Sequence, residues 1–195
     1  PEDKLVYRDG AQPGDLVCVS GDLGAAYLGL QLLEREKRIY IENPGIQPEL
    51  DKHTYLVGRH LKPEARTDVI RSLEELAIRP TAMIDVSDGI SSDIRHICKA
   101  SDTGVVIEEA ALPIREESYN MALEFHIDPT TAALNGGEDY EILFTVSPSE
   151  RHKMESLPLV TIIGEIKGKE EGLKLKSKSG NLHELPAQGW DHMKQ

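Results

Sequence analysis

The stretch TAMIDVSDGISSDIRHICKAS, residues 81–101, decides the fold of this chain. A short apolar run at residues 82–84 leads directly into Asp85, and Asp88 follows in a Ser-Asp-Gly turn. Beyond the turn, apolar residues recur with helical spacing from residue 90 to residue 98. The stretch therefore predicts a strand that turns into a helix, with carboxylates gathered at the junction.

Similar patterns divide the rest of the 195-residue chain into short strands and helices. Apolar or alternating runs predict further strands at 15–20, 104–108, 135–146 and 159–166, and a hairpin over 172–185. Amphipathic runs predict helices over about 25–38, 64–78, 116–125 and 148–156. The loop that contains residues 39–50 fits no element, and we assign no role to it. The order of elements predicts a single α+β domain over residues 1–195, with helices covering a mixed sheet of about six strands.

Composition and charge disfavour several classes of protein. Apolar residues make up 39% of the chain and charged residues 29%, which argues against global disorder. The formal net charge of −12 disfavours nucleic acid and anionic membranes as partners, because phosphate backbones require basic surfaces. It permits a phosphate-bearing small molecule when divalent cations bridge acid to phosphate. The sequence has no apolar run of about 18 residues, so we expect no membrane span.

The spacing of the cysteines and the absence of known short motifs exclude further kinds of functional site. Cys18 and Cys98 lie among apolar neighbours and match no metal-binding or redox spacing, so we predict reduced core residues of a cytoplasmic protein. The sequence contains no P-loop, kinase-type glycine loop, H-E-x-x-H pair or paired C-x-x-C. The histidines are scattered, and we expect no zinc site.

The carboxylates that follow the first apolar run fit two interpretations. Asp85, at the carboxyl end of a strand, and Asp88 can converge on one Mg²⁺, which takes oxygen ligands and leaves positions for substrate phosphates. Ser87 between them offers a hydroxyl to a phosphate, and the helix N-terminus behind offers its dipole and free N–H groups. In the second interpretation the acids are ordinary helix caps or solvated turn residues.

The start of the predicted helix has its own capping candidates. A cap satisfies N–H groups that a helix leaves unpaired in its first turn. We predict that Ser91 or Ser92 caps the helix. Asp93, already inside the helix, is assigned to capping or to the helix dipole.

A second group of acids stands in NGGEDYEILFTV, residues 135–146. The two glycines before the acids allow a positive φ or a close approach to a ligand. Strand alternation predicts that Glu138 and Tyr140 face one side and that Asp139 and Glu141 face the other. From this stretch alone we favour an ordinary glycine hairpin with solvated acids.

Two single residues have open roles. Trp190, the only tryptophan, either anchors the tail by packing or stacks on a heteroaromatic ring. Arg8 is either a surface charge or a phosphate ligand, because a guanidinium can bind phosphate with two hydrogen bonds.

Five segments together resemble the thiamine-monophosphate kinase family, within the superfamily of aminoimidazole ribonucleotide synthetase. They are RDGAQPGDLVCVSGDLG, RHLKPEAR, IDVSDGISSDIRHICKAS, NGGEDYEILFTV and GWDHM, in the family's order over nearly the whole chain. The match covers only the family's C-terminal half. It implies a C-terminal domain with a mixed, mainly antiparallel sheet, in which residues 1–14 connect to a missing N-terminal domain. The start of the chain at proline rather than methionine fits such a piece.

The resemblance also implies an activity. It is the ATP-dependent phosphorylation of thiamine monophosphate to thiamine diphosphate, by Mg²⁺-assisted direct in-line transfer without a catalytic side chain. A homodimer would form mainly through the absent half, and the isolated piece would not turn over. The resemblance assigns Asp85 and Asp88 as Mg²⁺ ligands, Ser87 and Arg8 as ATP contacts, and Glu138 and Trp190 as substrate contacts.

Two alternatives stay open at this point. The domain could be a non-catalytic binding or interaction module in which the acids are caps. It could also keep the fold in a related ATP-dependent synthetase with another substrate, although Trp190 favours an aromatic one.

Overall fold

The computed structural model describes residues 5–185, which form seven α-helices and seven β-strands. The strands are Leu16–Ser20 (β1), Ala82–Asp85 (β2), Gly104–Glu108 (β3), Ile142–Val146 (β4), Val160–Lys167 (β5), Leu173–Lys176 (β6) and Leu182–Glu184 (β7). The helices are Ala25–Glu42 (α1), Thr54–Leu61 (α2), Thr67–Glu75 (α3), Ile90–Ser101 (α4), Glu116–Glu124 (α5), Pro129–Asn135 (α6) and Arg151–Glu155 (α7). Among these helices, none is both long and apolar enough to cross a bilayer.

The strands form one sheet in the order β2-β4-β1-β5-β3-β6-β7. Neighbouring strands are antiparallel except β3 and β6, which run parallel. The predicted hairpin forms β6 and β7, and its turn is closed by a hydrogen bond from Ser177 N to Asn181 O at 2.8 Å. The α+β class and the mixed, mainly antiparallel sheet are confirmed, with seven strands where about six were expected.

Both faces of the sheet carry packed side chains around β1. The cluster on one face lies between the sheet and α4 and includes Val17, Val19, Ile94, Ile97, Val105, Ile107 and Leu143. The cluster on the other face lies between the sheet and helices α3 and α7 and includes Leu16, Cys18, Val69, Leu73, Phe144 and Met154. Because β1 is buried on both sides, its sequence LVCVS shows no polar alternation. A third cluster joins α1, α2, α5 and α6 beside the sheet.

The cysteines lie in these cores as predicted. Cys18 and Cys98 are both buried, and neither forms a disulfide. Burial raises the pKa of the Cys18 thiol to about 12 and that of Cys98 to about 11. Both behave as small apolar core residues rather than as reactive thiols.

The sequence analysis did not predict two of the helices, α2 and α6. For α6 a signal was present, because Asp128 Oδ1 accepts a hydrogen bond from Thr131 N at 2.8 Å and Pro129 stands at the first helical position. The eight-residue α2 depends instead on tertiary packing against α1. A Cβ at Gly29 of α1 would lie 2.1 Å from Leu56 O, so the two helices approach each other only because this residue is glycine.

Candidate functional site

The junction between β2 and α4 presents two carboxylates at the surface. β2 ends at Asp85, which is exposed and pairs with Ile142 of β4 in the sheet register. The buried Val86 anchors the following turn in the core, Ser87 is half-buried, and Asp88 is exposed. Both predicted Mg²⁺ ligands and one predicted ATP contact therefore share one surface turn. Residues 85–89 are called the first turn below.

The first turn is held from inside by Asp93. Its Oδ2 atom accepts hydrogen bonds from Ser87 N at 3.0 Å and from Asp88 N at 3.2 Å. Burial raises the pKa of the Asp93 carboxyl to about 7; the two N–H groups oppose this rise, and the charge of Asp88 adds to it. Ser87 and Asp88 precede the N-cap Gly89, so these bonds brace the turn and do not cap α4. The capping alternative predicted for Asp93 is wrong, and its assignment to the helix dipole stays a prediction. Asp93 thereby occupies the N–H groups of Ser87 and Asp88, which lie before α4. The expectation of free N–H groups concerns the helix itself and stays a prediction.

Neither predicted serine caps α4. The helix begins directly after Gly89, so both serines fall inside its first turn, beyond the capping position. Ser91 is 1% exposed, and its hydroxyl has no hydrogen-bond partner within the described residues. Ser92 N donates to Gly89 O at 2.9 Å, a backbone bond of the 3-10 type at the start of the helix. The serine-cap prediction is therefore wrong.

The first turn lies directly against residues 137–141, called the second turn below. Three backbone hydrogen bonds join them: Val86 N to Glu141 O at 2.8 Å, Tyr140 N to Val86 O at 2.9 Å, and Glu138 N to Ser87 O at 2.8 Å. Gly137 allows this approach, because its φ is +68° and a Cβ there would lie 2.6 Å from Ser87 O. Ser87 and Glu138, predicted to contact the two different substrates, are thus hydrogen-bonded neighbours.

Within the second turn the acids occupy opposite environments. Glu138 and Tyr140 are exposed, whereas Asp139 and Glu141 are each 1% exposed. The predicted alternation of faces is confirmed, and so is the strand, but the strand starts later than predicted. β4 begins only at Ile142, because Glu138 and Tyr140 have φ values of +60° and +51°, outside the extended region. The expectation of solvated acids is wrong for the two buried ones.

Glu141 is buried beside two arginines from the RHLKPEAR segment. Its Oε1 lies 2.9 Å from Arg59 Nη2, and its Oε2 lies 2.7 Å from Arg66 Nη1. The hydroxyl of Ser20, at the end of β1, donates to the same carboxylate. The two arginine side chains are only 16% and 13% exposed, so water screens these ion pairs weakly. Sequence reasoning assigned no role to RHLKPEAR, because its partner lies more than 70 residues away.

Asp139 caps α1. Its Oδ2 accepts from Gly24 N at 2.8 Å and its Oδ1 from Ala26 N at 3.2 Å. Burial raises the pKa of Asp139 to about 7, although the two N–H groups act in the opposite direction. The N-terminus of α1 is thus occupied by the protein's own carboxylate.

The other predicted contacts lie apart from the two turns. Arg8 is exposed, and its carbonyl accepts from Ser101 Oγ at 3.4 Å, at the opposite end of α4 from Asp88. Its guanidinium makes no polar contact within residues 5–185. Trp190 lies outside the described residues. The structure therefore brings together Asp85, Ser87, Asp88 and Glu138, but not Arg8.

The oxygen donors of the first turn fit Mg²⁺ in kind. Asp85 and Asp88 offer carboxylate oxygens, and neither carboxylate has an ion pair or hydrogen bond in the described part of the chain. Across residues 5–185, no group of three or more His, Cys, Asp or Glu side chains is arranged to hold a metal ion. The two carboxylates could therefore supply only part of a coordination shell.

Comparison with known proteins first defines the class. Residues 12–176 match the family described as AIR synthase related protein, C-terminal domain, and the chain belongs to this family. Curated proteins similar to this chain include thiamine-monophosphate kinases. That of Escherichia coli K12 is 35% identical over 201 residues, covering 98% of this chain and 56% of the relative. That of Pyrococcus abyssi is 35% identical over 191 residues, covering 97% and 54%.

A solved structure also resembles this chain. AaThiL complexed with AMPPCP and TMP superposes with a TM-score of 0.75 at 32% identity, covering 96% of this chain and 54% of that one. The resemblance inferred from the five sequence segments is confirmed. The chain spans about half the length of the relatives it matches.

Proposed function

We propose that this domain is the C-terminal part of an ATP-dependent kinase that converts thiamine monophosphate to thiamine diphosphate. The observation that carries the proposal is the hydrogen-bonded pair of turns, in which Asp85, Ser87 and Asp88 lie beside Glu138. Support comes from curated relatives at 35% identity that bear this name and from a structural relative complexed with AMPPCP, an ATP analogue, and TMP.

Each turn has its own part in the proposed reaction. Asp85 and Asp88 hold Mg²⁺, which when bound neutralises and orients the reacting phosphates. Ser87 donates its hydroxyl to a phosphate oxygen of ATP, and Glu138 contacts the thiamine phosphate on the adjoining turn. A phosphate oxygen of the acceptor then attacks the γ-phosphorus in line, and the bond to the β-phosphate breaks so that ADP leaves. No side chain need act as a nucleophile, because phosphoryl transfer depends mainly on positioning and charge neutralisation.

The charge of the chain explains why a cation is needed. Both substrates are anionic, and the protein itself carries a formal charge of −12. Asp85 and Asp88 are exposed without a basic partner in the described residues, so their charges stay uncompensated. Asp85 and Asp88 would hold a divalent cation that would neutralise their two charges and offer its remaining coordination positions to phosphate oxygens.

The site is completed from outside this domain. The first turn lies on an open surface, and we propose that an N-terminal domain and the phosphates fill the remaining metal positions. We propose that residues 1–14 form the connection to that domain, as the family resemblance implies. A homodimer through that N-terminal domain is also proposed. Arg8 and Trp190 remain proposed contacts for ATP and for the substrate on family resemblance.

We place the protein in the cytoplasm as part of this proposal. Cys18 and Cys98 are unpaired and buried, as in proteins of a reducing compartment. Biosynthesis of a phosphorylated cofactor also requires ATP, which the cytoplasm supplies.

Turnover tests the proposed function. The chain is assayed for thiamine diphosphate formation alone and after fusion to the N-terminal half of the Escherichia coli relative, with and without Mg²⁺. We expect formation of thiamine diphosphate by the fusion only, and only with Mg²⁺. Turnover by the isolated chain would refute its being an incomplete part of the enzyme. A folded fusion that binds Mg-ATP but never phosphorylates thiamine monophosphate would favour a binding module or a kinase of another substrate.

A further inference from the structure

The RHLKPEAR segment, residues 59–66, has no part in the proposed phosphoryl transfer. Its first and last residues, Arg59 and Arg66, nevertheless reach the same buried carboxylate, Glu141. Arg66 is also held on its other side by Asp68, whose carboxylate accepts from Nε at 3.1 Å and from Nη2 at 3.0 Å. A guanidinium bonded on both sides is fixed in place. The segment therefore places the guanidinium groups of Arg59 and Arg66 against the buried side of the second turn.

Arg59 holds the second turn at two points. Its Nη2 lies 2.9 Å from Glu141 Oε1 and donates to the carbonyl of Asp139 at 3.2 Å. The side chain of Asp139 in turn binds the backbone N–H groups of Gly24 and Ala26 at the start of α1. The residues on either side of Tyr140 are thus each anchored to a different helix.

The backbone of the second turn needs this restraint. Gly137, Glu138 and Tyr140 have φ values of +68°, +60° and +51°. This region is unfavourable for residues other than glycine, and such strain persists only where the surroundings impose it. Glu138 and Tyr140 are exposed, so burial of their own side chains does not hold them. The buried side chains of Asp139 and Glu141 hold them, together with the backbone hydrogen bonds to the first turn.

We propose that Arg59, Arg66, Asp139 and Glu141 form a clamp that positions Glu138 for the substrate. The clamp lies behind the second turn and acts through the backbone, so its members are positioning residues rather than substrate contacts. Their burial keeps the ion pairs strong, and their number over-determines a strained conformation. This inference rests on the proposed function, because it assumes that Glu138 binds the substrate.

Hydrogen exchange tests the clamp in the chain itself. Glu141→Gln keeps the size of the side chain and removes the charge that both arginines bind. We expect exchange at the amides of Glu138 and Tyr140 to accelerate at least about tenfold more than at the amides of β3 and β5, which report any loss of global stability. Glu155→Gln is the matched control, since Glu155 pairs with Arg151 in an exposed contact of 3.7 Å on α7.

Two exchange results would overturn the clamp. One is unchanged exchange at Glu138 and Tyr140 in the folded variant. The other is an equal acceleration throughout the sheet, which would mean only a loss of global stability. If Glu141→Gln does not fold, the same amides are measured in Arg66→Lys, which keeps the charge but cannot donate to both Glu141 and Asp68 in a fork.

Kinetics of the fused enzyme test the positioning role. Glu141→Gln should raise KM for thiamine monophosphate about tenfold and KM for ATP less than about twofold. A merely structural loss would lower the active fraction without this difference, and equal changes in both KM values would overturn the proposal. Glu138→Ala separates the two claims. If it leaves KM for thiamine monophosphate unchanged, the proposed substrate role of Glu138 fails, whereas the exchange measurement still decides the clamp.

Discussion

The first and second turns contain similar residues and use them in opposite ways. Asp85 and Asp88 in the first turn are exposed and have no partner within the described residues. Asp139 and Glu141 in the second are buried and bonded. The local sequences do not explain this difference, since both combine glycine with acids. The difference comes from the groups that pack against each turn. The first turn packs on α4, whereas the second packs on two arginines and the start of α1, which pair with its acids.

The comparison shows how an acid's partners decide its role. A buried carboxylate without partners is costly, so acids that enter the core must be paired and then act as structural anchors. An exposed carboxylate without partners stays available to a ligand. Two buried acids also bind backbone N–H groups: Asp93 of α4 binds those of the first turn, and Asp139 of the second turn binds those at the start of α1. Burial raises the pKa of both to about 7.

The largest effect should follow the removal of a buried anchor. Glu141→Ala leaves Arg59 and Arg66 without their shared partner and should lower the free energy of unfolding by about 3–5 kcal/mol. Asp88→Ala, at an exposed and unpaired acid, should change it by less than about 0.5 kcal/mol. Urea unfolding measures both. A loss of under 1 kcal/mol for Glu141→Ala, or equal losses for the two variants, would remove the distinction between the turns.

The pH dependence of stability should also distinguish the second turn. The unfolded chain releases the Asp139 proton near its ordinary pKa of 3.8, whereas the native state keeps it to about pH 7. The native state then binds more protons, so the contribution of Asp139 to the free energy of unfolding falls between those pH values, by at most roughly 4 kcal/mol.

Asp139→Asn removes this titration. Thermal unfolding at pH 4 and pH 8 should show the variant gaining stability relative to the natural chain as pH rises. Asp93 keeps its own dependence in both proteins and therefore cancels in the comparison. A difference between the two proteins that stays constant from pH 4 to pH 8 would show that Asp139 is ionised in the native state across this range.

A smaller effect should follow a disturbance of the contact between the turns. Gly137→Ala forces a Cβ to within 2.6 Å of Ser87 O at a φ of +68° and should cost about 1–3 kcal/mol in urea unfolding. Gly45→Ala is the control, because a Cβ at Gly45 meets nothing within 4 Å. Equal stability of the two variants would contradict the close contact of the turns.

The sequence predicts the local elements better than the links between them. β3 lies at residues 104–108 as predicted, and the apolar spacing of α4 gives its buried face, because both patterns depend on nearby residues. The two acids at the end of β2 could be found for the same reason. The clamp could not, because Arg66 and Glu141 are 75 positions apart and meet only in the folded chain. Tyr140 shows the same limit, since nothing local indicates a positive φ there.

The central claim is that the first turn seats the cation that brings the two phosphate-bearing substrates together. Asp85→Asn and Asp88→Asn, each made in the fused enzyme, test it most directly through the rate of thiamine diphosphate formation over a range of Mg²⁺ concentrations. Each should lower kcat/KM at least about 100-fold, or 2.7 kcal/mol, with an unchanged melting temperature, while Asp51→Asn, at another exposed aspartate, has no effect. Turnover within about threefold of the unmodified enzyme at all Mg²⁺ concentrations would contradict the claim.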